Sequence, residues 1–134
     1  MATSRVEYNG NLRTTCTHLK SGQEIITDAP TDNNGKGEAF SPTDLVATAY
    51  ASCILTVIGI HCDKNGHAFQ HGNAKVTKVM GDAPRRIAGL QISLDLSGNG
   101  WDAALCDRIK KVAEACPVAQ SVHPDIEVSI IYIF

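Results

Sequence analysis

Five cysteines, at positions 16, 53, 62, 106 and 116, are the residues of this 134-residue chain best suited to chemistry. Their number is odd, and their spacing is not the dense framework of a short disulfide-stapled domain. The first ten residues, MATSRVEYNG, lack the apolar run of a secretory signal, so a reducing cytoplasmic setting is expected. Cysteine in that setting serves as a nucleophile, a redox centre or a metal ligand. Cys53 closes the stretch Ala49-Tyr50-Ala51-Ser52-Cys53, in the middle of a long apolar run. A mid-helix position gains little from the helix dipole. The residue therefore reads either as a small core side chain or as a thiol whose activation depends on a cation or donor brought in by the fold. Cys116 directly precedes Pro117. Where a short helix starts at Pro117, this thiol occupies its cap, and backbone N–H groups lower its pKa. Where Pro117 merely ends a helix, Cys116 packs beneath it. The two cysteines are 63 positions apart (116 minus 53), a spacing that carries no information about their proximity.

Other reactive side chains form weaker patterns. His61, Cys62, His67 and His71 make a Cys-x4-His-x3-His run without the paired Cys-x2-Cys of a zinc finger, so solvated turn histidines and no metal are expected. Gly35-Lys36-Gly37 has neither Walker spacing nor a helix-opening Lys-Ser/Thr pair. Gly-x-Ser-x-Gly, His-Glu-x-x-His and Gly-x-Gly-x-x-Gly are absent, and no cofactor is expected.

The elements that position these residues follow from patterning. The chain is 43% hydrophobic and 19% charged, a composition that builds one domain over residues 1–134 and excludes a disordered tail, collagen or coiled coil. Twelve Lys+Arg against 14 Asp+Glu leave a net charge of −2, too little basic field for bulk binding to nucleic acid. Strand-like runs over 6–8, 12–18 and 24–28 are punctuated by Asn9-Gly10 and Ser21-Gly22, and residues 30–38 form a polar, Gly-rich loop. Ser41-Pro42-Thr43-Asp44 then reads as a helix start: a capping hydroxyl, Pro at the first helical position, and a carboxylate at the third.

The helix runs to about Lys64 before Asn65-Gly66 stops it, and is apolar on nearly every face. Its most lipid-like stretch, residues 45–60, is 16 residues long and includes Thr48, Ser52 and Thr56. That is shorter than the roughly 18–20 residues a bilayer demands, so a core helix rather than a membrane span is expected. At about 35 Å it is too greasy for one small sheet to cover, which suggests a second subunit. Runs over 74–80 and 87–96 alternate as strands, with Gly81-Asp82-Ala83-Pro84 between them. Helical spacing over 102–115 ends at Pro117, with a further turn over 118–122 and a strongly β-prone stretch over 126–134. The order βββ-α-ββ-α-β defines an α+β domain.

Two motifs resemble a known family. The stretch Phe40-Ser41-Pro42-Thr43-Asp44-Leu45-Val46-Ala47-Thr48-Ala49-Tyr50-Ala51-Ser52-Cys53 resembles the first cysteine helix of the OsmC/Ohr family. Cys116-Pro117-Val118-Ala119-Gln120-Ser121-Val122 is similar to its second cysteine motif. The intervening strand Arg86-Ile87-x-Gly-Leu-x-Ile and the terminal strand are also similar, so the resemblance covers almost the whole chain. It implies antiparallel sheets wrapped around long central cysteine helices, in an intertwined homodimer with sites at the subunit interface. It further implies a thiol peroxidase in which Cys53 attacks an organic hydroperoxide or hydrogen peroxide and Cys116 resolves the sulfenate as a disulfide. An Arg and a Glu assist the first thiol, and a thiol reductant completes the cycle. The chain departs from that pattern at one place: Thr43 stands ten positions before Cys53, where the family has glutamate. Asp44 is adjacent, but one helical step rotates it by about 100°. Arg13, in an early strand, is the leading supporting guanidinium, with Arg5 and Arg86 as alternatives. The second function class is a non-peroxidase dimer of the same fold whose interface pocket binds a small molecule or senses redox state; Thr43 favours it, the paired cysteines the peroxidase.

Overall fold

The computed structural model describes every residue, Met1–Phe134, with the elements in the expected order. The chain divides into two compact units, Met1–Val46 and Ala47–Phe134.

The first unit is a meander of β1 (Ser4–Tyr8), β2 (Arg13–His18) and β3 (Glu24–Asp28), paired antiparallel in the order β1-β2-β3. β2 is rich in Thr, whose branched side chain suits a pleated strand. The expected strand start at Leu12 is corrected: Gly10, Asn11 and Leu12 all adopt positive φ, and Asn9 N–H donates to the Arg13 carbonyl at 2.9 Å. The first hairpin thus closes with a three-residue loop rather than a two-residue Asn-Gly turn. The polar segment after β3 contains a short 3-10 turn, Thr31–Asn33, not foreseen from composition. Gly35 is required there, because a Cβ would stand 1.7 Å from the Ala29 carbonyl oxygen. The only buried residues of this unit are Thr27, Asp28 and Ser41, so it contains no apolar core of its own.

α1 (Pro42–Asn65) opens at the end of the first unit and runs through the second. A reciprocal capping box starts it: Ser41 Oγ accepts from Asp44 N–H at 3.1 Å, and Asp44 Oδ2 accepts from Ser41 N–H at 2.9 Å. The second unit adds β4 (Asn73–Gly81), β5 (Arg86–Asp95), α2 (Ala103–Glu114) and β6 (Glu127–Ile133). The sheet order is β4-β5-β6, antiparallel between β4 and β5. The β5–β6 pair is parallel, so this sheet is mixed rather than antiparallel throughout. The reason is the connection: α2 carries the chain back to the end where β5 began, as parallel neighbours demand.

The core lies in this second unit. Ala47, Tyr50, Ile54, Ile58 and Cys62 form one stripe of α1. Leu90, Ile92 and Leu94 form the inward face of β5, and Leu105, Ile109 and Ala113 one stripe of α2. The length argument against a bilayer does not hold for the whole helix, since α1 has 24 residues and an 18-residue window of mean hydropathy 1.8. What marks it as a core helix is the stripe packed against β5 and α2. Cys53, Leu55 and Val57 are partly buried against this core, while Val46 and Ile60 are 41% and 48% exposed in the single chain.

Candidate functional site

Cys53 is partly buried on α1, one helical turn after Tyr50, and packs against the core cluster to which Tyr50 and Cys116 belong. A separation of three places Tyr50 and Cys53 on one helix face. Cys116 is brought to them from the far end of α2. That helix ends with Ala115 as its C-cap, and Cys116 follows, fully buried. Both thiols are free, and Cys53 lies close enough to Cys116 to raise its pKa. The fold therefore pairs two residues whose spacing carried no such information.

Both readings of Cys116 prove partly right. It caps the next turn, since Ala119 N–H donates to its sulfur at 3.4 Å and Gln120 N–H to its carbonyl at 3.2 Å. That segment is a single hydrogen-bonded turn rather than a helix. The expected lowering of the thiol's pKa is overturned. Burial pushes Cys116 above the ordinary thiol value, and the neighbouring Cys53 raises it further; the Ala119 and Val118 N–H groups offset only part of this. Tyr50 is 6% exposed, and burial raises its phenol, followed by the negative charge that Cys116, Cys53 and Glu114 would carry. Burial, with Glu114 and Tyr50, pushes Tyr132 up to about 12, and its buried hydroxyl meets no hydrogen-bond partner. These surroundings thus favour the neutral forms of Cys116, Tyr50 and Tyr132 over their anions.

The other three cysteines have surroundings of their own. Cys62 is fully buried, and burial raises its thiol. Cys106 points its sulfur at the Trp101 carbonyl, 3.9 Å away, and Cys16 lies on β2 beside Thr14. His61 and His67 stack with ring centroids 6.4 Å apart, while His71 N–H donates to Asn99.

Of the supporting candidates, Arg5, Arg13, Thr43 and Asp44 belong to the first unit, whereas Arg86 opens β5 in the second and donates to the Asp82 and Pro84 carbonyls. Arg13 Nε and Nη2 donate to the two Asp28 oxygens at 2.7 and 2.8 Å, a bidentate pair between residues directly opposite on β2 and β3. Asp28 is 2% exposed and also accepts the Glu38 N–H at 3.1 Å; the loop folded on Gly35 delivers that donor. The Glu38 carboxylate lies 3.6 Å from Arg13 Nη2. The hydrogen bond from Arg13 holds the Asp28 carboxyl below the usual carboxylate range, outweighing the opposite effect of burial. The same bond raises the guanidinium. Thr43 places its hydroxyl 3.2 Å from that of Ser41, and Asp44 is engaged in the helix cap. Sequence reasoning missed Asp28. The signal was present in the hairpin: counting outward from Thr17 opposite Glu24 puts Arg13 opposite Asp28. It also gave Tyr50 no role, although helical spacing sets it beside Cys53.

Comparison with known proteins agrees with this architecture. Residues 35–131 match the family model of OsmC-like proteins. A crystal structure from Psychrobacter arcticus 273-4, of a protein provisionally named for an osmotic stress induced and detoxification response, is 48% identical. The match covers 98% of this chain and 96% of that one, with a TM-score of 0.93. Two more distant structures share the fold at 15% identity. The organic hydroperoxide resistance protein OsmC of Legionella pneumophila has a TM-score of 0.76, over 100% of this chain and 98% of its own. The organic hydroperoxide resistance protein of Bacillus subtilis has a TM-score of 0.67, over 98% of each chain. No curated protein matches the chain.

Proposed function

The chain belongs to the OsmC-like family, and from that premise we propose that it is a cysteine-based peroxidase reducing organic hydroperoxides or hydrogen peroxide. The observation that carries the reading is the thiol pair: Cys53, partly accessible, packs against the core cluster that contains the buried Cys116 and raises its pKa. In this mechanism the Cys53 thiolate attacks the terminal peroxide oxygen, the O–O bond breaks, and a sulfenic acid forms with release of an alcohol or water. Cys116 then attacks the sulfenate sulfur, giving a disulfide and water, and an external thiol returns the pair to the reduced state. Arg13 is the proposed supporting guanidinium, with Asp28 and Glu38 as its carboxylates in a chain that has Thr43 at the family's glutamate position.

A homodimer belongs to the same proposal. A unit of 46 residues with no buried apolar side chain is not stable by itself, and Val6, Ile25, Ile26 and Phe40 are all more than 40% exposed on it. In the second unit, Thr48, Ala51, Ser52, Leu55 and Thr56 of α1 line an open groove of about 450 Å³. A second copy covering both surfaces accounts for apolar faces that the single chain leaves in water.

One equivalent of an alkyl hydroperoxide, followed by intact-protein mass spectrometry, tests the peroxidase. Wild type loses two hydrogens as the disulfide forms, Cys116→Ser gains an oxygen on Cys53, and Cys53→Ser is unchanged. Oxidation of the Cys53→Ser protein at the wild-type rate overturns the reading. Thr43 supports the second reading, a non-peroxidase dimer that binds a small molecule or senses redox state. In that case the disulfide forms stoichiometrically but without turnover in the presence of excess thiol.

A further inference from the structure

We propose that Tyr50 is the proton donor of the thiol site, delivering a proton to the leaving oxygen of the peroxide as Cys53 is oxidised. The inference rests on the peroxidase reading and adds a proton transfer to the thiol chemistry of the two cysteines. Attack by the Cys53 thiolate forms the S–O bond, reduces the peroxide by two electrons and expels an alkoxide. An alkoxide is a far stronger base than a phenolate, so its release in a partly buried site calls for a donor at hand.

Three features single out Tyr50. It lies one turn before Cys53 on the same face of α1, about 4.5 Å along the axis, the spacing at which side chains of one helix are neighbours. It is 6% exposed and belongs to the core cluster that contains Cys116 and against which Cys53 packs, so its side chain shares buried surroundings with both thiols rather than lying in bulk water. Burial and the surrounding negative charge keep it a neutral phenol at physiological pH, the form that can donate. Cys116, the other acidic group nearby, has the separate task of attacking the sulfenate. The balanced step is Cys53–S⁻ + ROOH + Tyr50–OH → Cys53–SOH + ROH + Tyr50–O⁻, after which the phenolate takes a proton from solvent.

The test is Tyr50→Phe, which removes one oxygen and keeps the ring, with rapid-mixing rates of Cys53 oxidation by two oxidants. An alkyl hydroperoxide expels an alkoxide, whereas a peroxycarboxylic acid expels a carboxylate that needs no proton. Tyr50→Phe is expected to slow the first reaction about 100-fold and the second less than about 3-fold, a difference that general acid catalysis produces. Alkylation of Cys53 by iodoacetamide, whose leaving group is also a weak base, is expected to keep its wild-type rate and pH profile. Equal losses with both oxidants, or wild-type rates with both, overturn the proposal while leaving the peroxidase reading intact. Peroxide consumption that survives Cys53→Ser overturns both. If Tyr50→Phe fails to fold, Tyr50→Leu, which removes the hydroxyl without adding bulk, is expected to reproduce the same oxidant dependence; equal losses relative to wild type with both oxidants again overturn the proposal.

Discussion

Oxidation of the thiol pair by one equivalent of an alkyl hydroperoxide should stabilise the fold by a calculable amount. A Cys53–Cys116 bond closes a loop of 63 residues. The chain-entropy relation for such a loop gives about 4.3 kcal/mol at 25 °C, roughly a thousandfold in the unfolding equilibrium. Little should be lost on the native side. The sulfurs are already neighbours, and Cys116 sits in a buried site that disfavours a thiolate, which the neutral disulfide avoids. With an m-value of about 2 kcal/mol per molar urea, the midpoint moves up by roughly 2 M. The assay is urea unfolding, followed by circular dichroism at one fixed protein concentration, for reduced, oxidised and re-reduced protein. Cys116→Ala, treated identically, is expected to show no shift. An oxidised wild type that unfolds at the same or lower urea concentration refutes the reasoning, because the two residues would then be bridged only at the expense of the packing around them.

Four further outcomes are expected. If folding is coupled to dimer formation, tenfold dilution lowers apparent stability by about 1.4 kcal/mol, and urea midpoints that ignore protein concentration contradict the dimer. Ser41→Ala removes one half of the α1 cap and should cost about 1 kcal/mol in the same titration. Asp28 has a folded pKa below its unfolded one, so its contribution is present above the unfolded value, about 3.9, and is lost as pH falls through the folded value. Asp28→Asn should therefore be less stable than wild type at pH 7, with the difference narrowing in acid. Cys116, Tyr50 and Tyr132 are raised, so their contributions are intact below the unfolded thiol and phenol values, about 8.5 and 10, and are lost as pH rises through the folded values, with Tyr132 holding its proton to about 12. Alkaline titration should show ultraviolet phenolate absorbance from these tyrosines delayed beyond the ordinary phenol range, about 10, and coinciding with loss of the helical signal.

The elements themselves were legible along the chain because each is encoded locally. Ser41, Pro42 and Asp44 specify the start of α1 through hydrogen bonds that span three residues, and Asn65-Gly66 its end. The alternation of Leu90, Ile92 and Leu94 announces a strand with one buried face. The second cysteine motif announces a cap through the side chain of Cys116 and the amide of Ala119. Tertiary structure alone decided what those elements do to one another. No spacing rule joins residues 63 positions apart; α2 and the parallel β5–β6 pairing carry Cys116 back to α1. Burial, which depends on every neighbour, reversed the sign of the effect expected on the Cys116 thiol. Arg13 met its carboxylate not in the cysteine motif but across the β2–β3 ladder, at Asp28, because strand register places side by side what the chain holds 15 positions apart.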